Sequence, residues 1–159
     1  MNILSLENIS KSYTGRMLFD EASFFLHENE KVGLIGINGT GKSTLLRIIA
    51  GEEEEDSGKI TRANNMVIEY LPQNPQFDPD MSVIEAVLDR NESNAVAGSN
   101  IISESDAKTM LTQLGVYNFE QKTGELSGGQ RKRLALVRAL LSTCDVLVLD
   151  EPNLLNSGM

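Results

Sequence analysis

Short apolar runs separated by glycine, proline and acid-rich punctuation set the outline of this chain. Ile3 to Ile9 alternates apolar and polar residues, with Ile3, Leu4, Leu6 and Ile9 apolar, and predicts a first strand. A turn is expected over Lys11 to Gly15, carrying an isolated aromatic, Tyr13. Ala22 to Leu26 predicts a second strand, and Val32 to Ile35 a third that leads into a helix beginning near Lys42. Lys59–Arg62 and Met66–Leu71 read as a hairpin turning at Ala63-Asn64-Asn65. Pro72, Pro75 and Pro79 then end regular structure around Gln73.

Beyond the prolines the pattern becomes helical. Val83 to Leu88 predicts a short helix capped by Ser82, and Glu104 to Leu114 a second, with Gly115 near its end. Between them, Asn91 to Ser103 is rich in Asn, Ser, Ala and Gly and reads as a surface loop. A long helix is expected from Gly128 to Leu141, where Leu134, Val137 and Leu141 follow helical spacing. The continuous apolar run Val146-Leu147-Val148-Leu149 fits a strand covered on both faces, as in a parallel sheet. There is no internal repeat.

The candidate chemistry starts between the third strand and the first long helix. Gly36-Ile37-Asn38-Gly39-Thr40-Gly41-Lys42-Ser43-Thr44 is a glycine-rich turn opening into a helix. Glycines at 36, 39 and 41 remove Cβ atoms that would keep backbone N–H groups from converging on an anion. The helix start adds the positive end of its dipole. Lys42 can reach a terminal phosphate, and the Ser43 hydroxyl can hold Mg²⁺. A second constellation, Asp150-Glu151, closes the buried strand at the edge where ligands bind in open α/β sheets. A third, Leu126-Ser127-Gly128-Gly129-Gln130, places a helix-capping serine and two glycines at another helix start.

Composition narrows the partners. The 159 residues suffice for one domain with a core, and the net charge of −9 argues against a nucleic-acid-binding face on this segment. Cys144 is the single cysteine, so a reducing, cytoplasmic setting is the simplest expectation, with the thiol buried and inert. His27, the single histidine, reads as a solvated turn residue. The acidic run Glu52 to Asp56 reads as a solvated loop. No signal peptide and no apolar run of membrane-spanning length is present, so direct membrane insertion is not expected.

Gly36 to Ser43, Leu126 to Gln130 and Leu147 to Pro152, in that order, resemble the ATP-binding cassette (ABC) ATPases. The resemblance implies a P-loop α/β cassette with an antiparallel N-terminal β part. It also implies an ATPase core over 1–75 and 125–159, with a helical subdomain over 76–124 inserted. ATP and Mg²⁺ are the implied cofactors. Gly36, Asn38, Gly39, Gly41, Lys42, Ser43 and Thr44 would hold the phosphates, and Tyr13 would stack on adenine. Ser43, Gln73 and Asp150 would lie on Mg²⁺, Glu151 would be the general base, and Gln73 would sit near the attacking water. Ser127, Gly128, Gly129 and Gln130 would meet ATP held by an opposing cassette.

Gln130 to Leu141 and Val146 to Pro152 look like the ABC-F subfamily, whose members pair two cassettes in one chain and commonly act on ribosomes. A transporter subunit or a non-hydrolysing nucleotide-binding module are the alternative readings. After Pro152 the chain departs from the family pattern, which continues Thr-Asn-His-Leu-Asp and adds a further strand and a switch histidine. The expectation is a cassette lacking its C-terminal part, with ATP binding a firmer implication than turnover.

Overall fold

A computed structural model describes residues 1–35, 41–89 and 103–150, which fall into two compact units divided after Ile68. In the first unit β1 (Asn2–Tyr13) and β2 (Arg16–His27) form an antiparallel hairpin, and β3 (Ser57–Arg62) lies antiparallel on the other side of β1. The two-residue hairpin turn, Thr14-Gly15, has φ of 47° and 79°. Two positive φ values twist the turn in the sense that the flanking strands require. Lys11 to Tyr13 therefore belong to β1, and not to the expected turn.

A bulge explains how Leu4, Leu6 and Ile9 are all buried on β1. Strict alternation would put Ile9 on the opposite face from Leu6. The register shifts between Leu6 and Ile9, and Asn8 takes a φ of 52°. The irregularity returns Ile9 to the core face. Gly58 on β3 accommodates the distortion: at its φ of +111°, an added Cβ would lie 2.5 Å from the Asn8 carbonyl oxygen.

Helix α1 (Lys42–Ala50) runs between two left-handed glycines, Gly41 and Gly51. Its end is a Schellman closure, in which Gly51 N–H donates to Ile48 O and Glu52 N–H to Arg47 O. Arg62, at the end of β3, donates from Nη2 to Ile48 O at 3.0 Å, placing a cation at the negative end of the helix. Ile48 and Ile49 face inward.

Two expectations fail here. No strand forms over Val32–Ile35, and Ile35 is 96% exposed. An apolar run becomes a strand only where neighbouring backbone completes its ladder, and none does so for 32–35 among the described residues. Nor do 59–62 and 66–71 form a hairpin. β3 pairs with β1, and β4 (Ile68–Leu71) pairs with β5 (Val146–Leu149). Ala63 N–H continues the β1 ladder by donating to Ile3 O. The asparagines predicted a turn; they did not dictate which strand each arm would meet.

The second unit holds β4, α2 (Val83–Leu88), α3 (Glu104–Gln113), a 3-10 turn (Thr123–Glu125), α4 (Gly128–Leu141) and β5. The helices fall where the apolar spacing places them. Val83, Val87, Ala107, Leu111, Leu134 and Val137 make one core from α2, α3 and α4. Gly115, with φ of 79°, ends α3 as Val116 N–H reaches back to Leu111 O. On β5, Val146 and Val148 are buried while Leu147 and Leu149 are half-buried, so its two faces are unequally covered. Of the loop expected over Asn91 to Ser103, residues 91–102 lie outside the described residues, and Ser103 precedes α3.

A capping box opens α2: Ser82 Oγ accepts from Glu85 N–H, and a Glu85 oxygen accepts from Ser82 N–H at 2.7 Å. That backbone N–H chiefly holds the Glu85 carboxyl below its ordinary value of 4.5. A depressed folded-state pKa contributes stability at pH above 4.5 that is lost as pH falls through the lower folded value. Glu85→Ala is expected to flatten that part of an acid-unfolding curve. Gly58→Ala is expected to destabilise the first unit by about 1–3 kcal/mol in urea titrations.

Candidate functional site

The first unit brings a helix start and an exposed aromatic to neighbouring positions on one sheet. Gly41 precedes α1 in the left-handed conformation with φ of 92°, and no side chain caps the helix. The opening N–H groups of a helix have no intrahelical acceptor. No acidic residue occupies the first turn of α1, and Arg47 lies in its last turn. Charge and dipole therefore favour an anion at this end. Thr44 is buried and fixes the first turn, while Lys42 and Ser43 are half-buried.

The helix start is seated against β2. A Cβ added to Gly41 would lie 3.2 Å from Leu18 Cβ and 3.4 Å from Phe19 Cδ1. Phe19 pairs with Lys11, Met17 with Ser12 and Arg16 with Tyr13. Gly41 thus lies only two or three strand positions from the level of Tyr13, roughly 7–10 Å along the strand. Tyr13 is 42% exposed. A phosphate-seeking helix end and an accessible ring at that spacing suit the two ends of a nucleotide.

Tyr13 is held from behind. Lys11, two residues earlier and on the same face of β1, places Nζ 5.2 Å from the ring centroid. The same ammonium donates to Glu54 O at 2.7 Å and pairs with Glu53 at 3.5 Å and Asp56 at 3.4 Å. Asp56 Oδ2 accepts from the N–H and hydroxyl of Ser12 at 2.8 and 3.0 Å. The Ser12 N–H foremost, with its hydroxyl and Lys11, holds the Asp56 carboxyl below its usual range. The acidic run is therefore not merely solvated; Lys11 and Arg47 tie it down.

In the second unit, pairing of β4 with β5 gathers a different set. Asp150 follows β5, is 5% exposed, and donates its N–H to Leu71 O at 3.0 Å. Tyr70 on β4 donates its hydroxyl to Asp150 Oδ2 at 3.0 Å. Gln73 is exposed just beyond β4. Strand pairing thus brings the chain around Gln73 to the end of β5 that carries Asp150. At α4, Ser127 Oγ accepts from Gln130 N–H and Gln130 Oε1 accepts from Ser127 N–H. The box leaves the intervening Gly128 and Gly129 N–H groups outside it, and an added Cβ at Gly128 would meet nothing within 4 Å.

Gly36, Asn38, Gly39, Glu151 and the tail from Pro152 lie outside the described residues. His27 ends β2 with its Nδ1 3.2 Å from Glu30, and Cys144 is half-buried, more accessible than expected. Sequence reasoning missed Tyr70, Lys11 and the tethering of the acidic loop. Period-two spacing, Lys11 to Tyr13, was the available signal for the second of these. Nothing local pairs Tyr70 with a residue eighty positions away.

For ATP, the donors at α1 fit: a lysine, two hydroxyls and helix-start N–H groups, with no carboxylate in the first turn. Mg²⁺ bound to phosphates keeps most of its waters and needs only one or two protein ligands. The Ser43 hydroxyl is a donor of the kind such a site needs from the first unit. Among the described residues no cluster of three or more His, Cys, Asp or Glu forms an all-protein metal cage.

The fold is that of a P-loop nucleotide-binding cassette. The ABC transporter family profile matches residues 19–154, and the chain belongs to that family, whose members bind ATP with Mg²⁺ and hydrolyse it. It is 36% identical to the ABC transporter ATP-binding protein YfmR of Bacillus subtilis, over 96% of this chain and 29% of that protein. The energy-dependent translational throttle protein EttA of Haemophilus influenzae is 35% identical, over 94% of this chain and 27% of its own length. The spermidine/putrescine import ATP-binding protein PotA of Spiroplasma citri is 37% identical, over 95% and 45%. The chain therefore spans less than half of each of these relatives. A nucleotide-free ATP-binding cassette from an ABC transporter superposes with a TM-score of 0.70 at 28% identity, covering 96% of this chain and 70% of that one.

Removing the Tyr70 hydroxyl is expected to loosen Asp150. Tyr70→Phe should lower unfolding free energy by about 1 kcal/mol, measured by urea titration, with the helical content unchanged by circular dichroism.

Proposed function

We propose that this chain binds Mg-ATP, with phosphates at the start of α1 and the base against Tyr13. The observation that carries the reading is the seating of the uncapped α1 start on β2, a few residues from an accessible tyrosine. Gly41 and Thr44, with Gly36, Asn38 and Gly39 by the family motif, are the proposed phosphate-binding residues; Lys42 would neutralise terminal phosphate charge, and Ser43 would hold the metal. In the second unit Gln73 and Asp150 are the residues proposed for the metal, and the Tyr70 hydroxyl is bonded to Asp150. Glu151 is the proposed general base. Bound Mg²⁺ would neutralise charge developing on the phosphates during transfer.

The site is proposed as half of a pair. The open Gly128 and Gly129 N–H groups, with Ser127 and Gln130, would meet the γ-phosphate of nucleotide held by a second cassette, in the same full-length protein or in a dimer. On this reading 76–124 is the helical subdomain between two segments of ATPase core. ATP closes the pair and hydrolysis releases it, giving a conformational cycle.

The work driven by that cycle is proposed to be on the ribosome, in the manner of ABC-F proteins. Similarity to a translational throttle protein supports this, as does the composition of α4 and β5. Similarity to a polyamine import ATP-binding protein supports the second reading, a transporter subunit. Sedimentation of the full-length protein with ribosomes, against co-purification with a membrane permease, separates the two. Among the described residues no helix is long and apolar enough to cross a membrane.

Mg-ATP should raise the thermal midpoint of the 159-residue chain. A ligand at a hundred times its Kd adds about 2.7 kcal/mol. Lys42→Ala should abolish that rise; a full shift in the variant would contradict the assignment.

A further inference from the structure

We infer that Lys11 is a positioning residue for nucleotide recognition: clamped by the acidic loop after α1, it holds the Tyr13 ring for the base. The inference rests on the proposed role of Tyr13 and adds the device that orients it.

Four contacts converge on one ammonium. Lys11 Nζ meets the Glu54 carbonyl oxygen, the Glu53 and Asp56 carboxylates and the Tyr13 ring. Its side chain is only 12% exposed. Lysine is rarely buried to that extent unless paired, because its flexible stem and strongly hydrated head both resist confinement. The loop that confines it is itself fixed. Asp56 N–H donates to Ser10 O, Asp56 Oδ2 takes both donors of Ser12, and Arg47 on α1 pairs with Glu53 at 3.5 Å. The chain of contacts thus runs from α1 through Glu53 to Lys11 and Tyr13, all within the first unit.

The consequence for binding is geometric. A tyrosine at the end of a hairpin strand has rotamer freedom to lose when a base stacks on it. With Lys11 over one face, that freedom is restricted beforehand and the opposite face is left for a base. Lys11 itself need not touch the nucleotide. The acidic residues then act remotely, by keeping the ammonium where the ring needs it.

The test measures binding of Mg-ATP and of magnesium tripolyphosphate, which lacks a base, to the full chain by equilibrium competition. Lys11→Met should weaken Mg-ATP binding about threefold to tenfold and leave tripolyphosphate binding unchanged, and Lys11→Arg should restore ATP binding. Tyr13→Ala should weaken ATP selectively, and adding Lys11→Met to it should cause no further loss. If Tyr13→Ala weakens ATP but Lys11→Met does not, the positioning role is wrong and the base-binding role of Tyr13 survives. If Tyr13→Ala leaves ATP affinity intact, both are wrong. Equal weakening of ATP and tripolyphosphate by Lys11→Met would show a general loss of structure and overturn the proposal. Should Lys11→Met fail to fold by circular dichroism, Glu53→Gln carries the same test: selective weakening of ATP supports the clamp, and unchanged ATP affinity overturns it.

Discussion

A helix begins with N–H groups that its own backbone does not satisfy. The chain resolves this in different ways at different helices, and its chemistry follows from the contrast. At α2 the Ser82 hydroxyl takes the Glu85 N–H, and the carbonyls of Gln121 and Phe119 take those of Val83 and Ile84. At α1 the preceding residue is a glycine, no carboxylate lies in the first turn, and the positive end remains disposed toward an external anion. Such an end is stable only if the rest of the helix is well anchored. The buried Thr44, Ile48 and Ile49, the Schellman closure and Arg62 on the last carbonyls provide that anchorage.

Helix α4 lies between these cases. Its capping box satisfies the N–H groups of Ser127 and Gln130, yet the space beside Gly128 is open. The Ser-Gly-Gly-Gln sequence thereby serves two ends, stabilising a helix whose core face carries Leu134 and Val137 and leaving backbone donors accessible to a partner. Asp150 follows a related logic. It ends a strand with its side chain buried, and the Tyr70 hydroxyl satisfies one of its oxygens.

Much of this was legible in the sequence because local rules dominate there. Both capping boxes are written in four consecutive residues, and the borders of α2 and α4 fall where Ser82, Ser127 and the apolar spacing put them. Strand partners were not legible, since ladder pairing depends on backbone far away. Met66–Leu71 contains a true strand but was assigned the wrong neighbour, and the apolar run at 32–35 forms no strand. The bulge at Asn8 was also hidden, because Leu4, Leu6 and Ile9 look like imperfect alternation until Gly58 is seen opposite. At the site, glycines, lysine and the two acids announced themselves by motif. Lys11 and Tyr70 act through distant partners that no motif records.

The central claim is that the start of α1 receives the phosphates of a nucleotide whose base lies against Tyr13. Titrating the ¹⁵N-labelled chain with Mg-ATP and following its amide resonances tests this most directly. The largest shifts should fall on Gly41, Lys42, Ser43 and Thr44, with a second set at Tyr13 and the adjoining hairpin turn. Saturating Mg-ATP that leaves the Gly41–Thr44 amides unmoved would contradict the account.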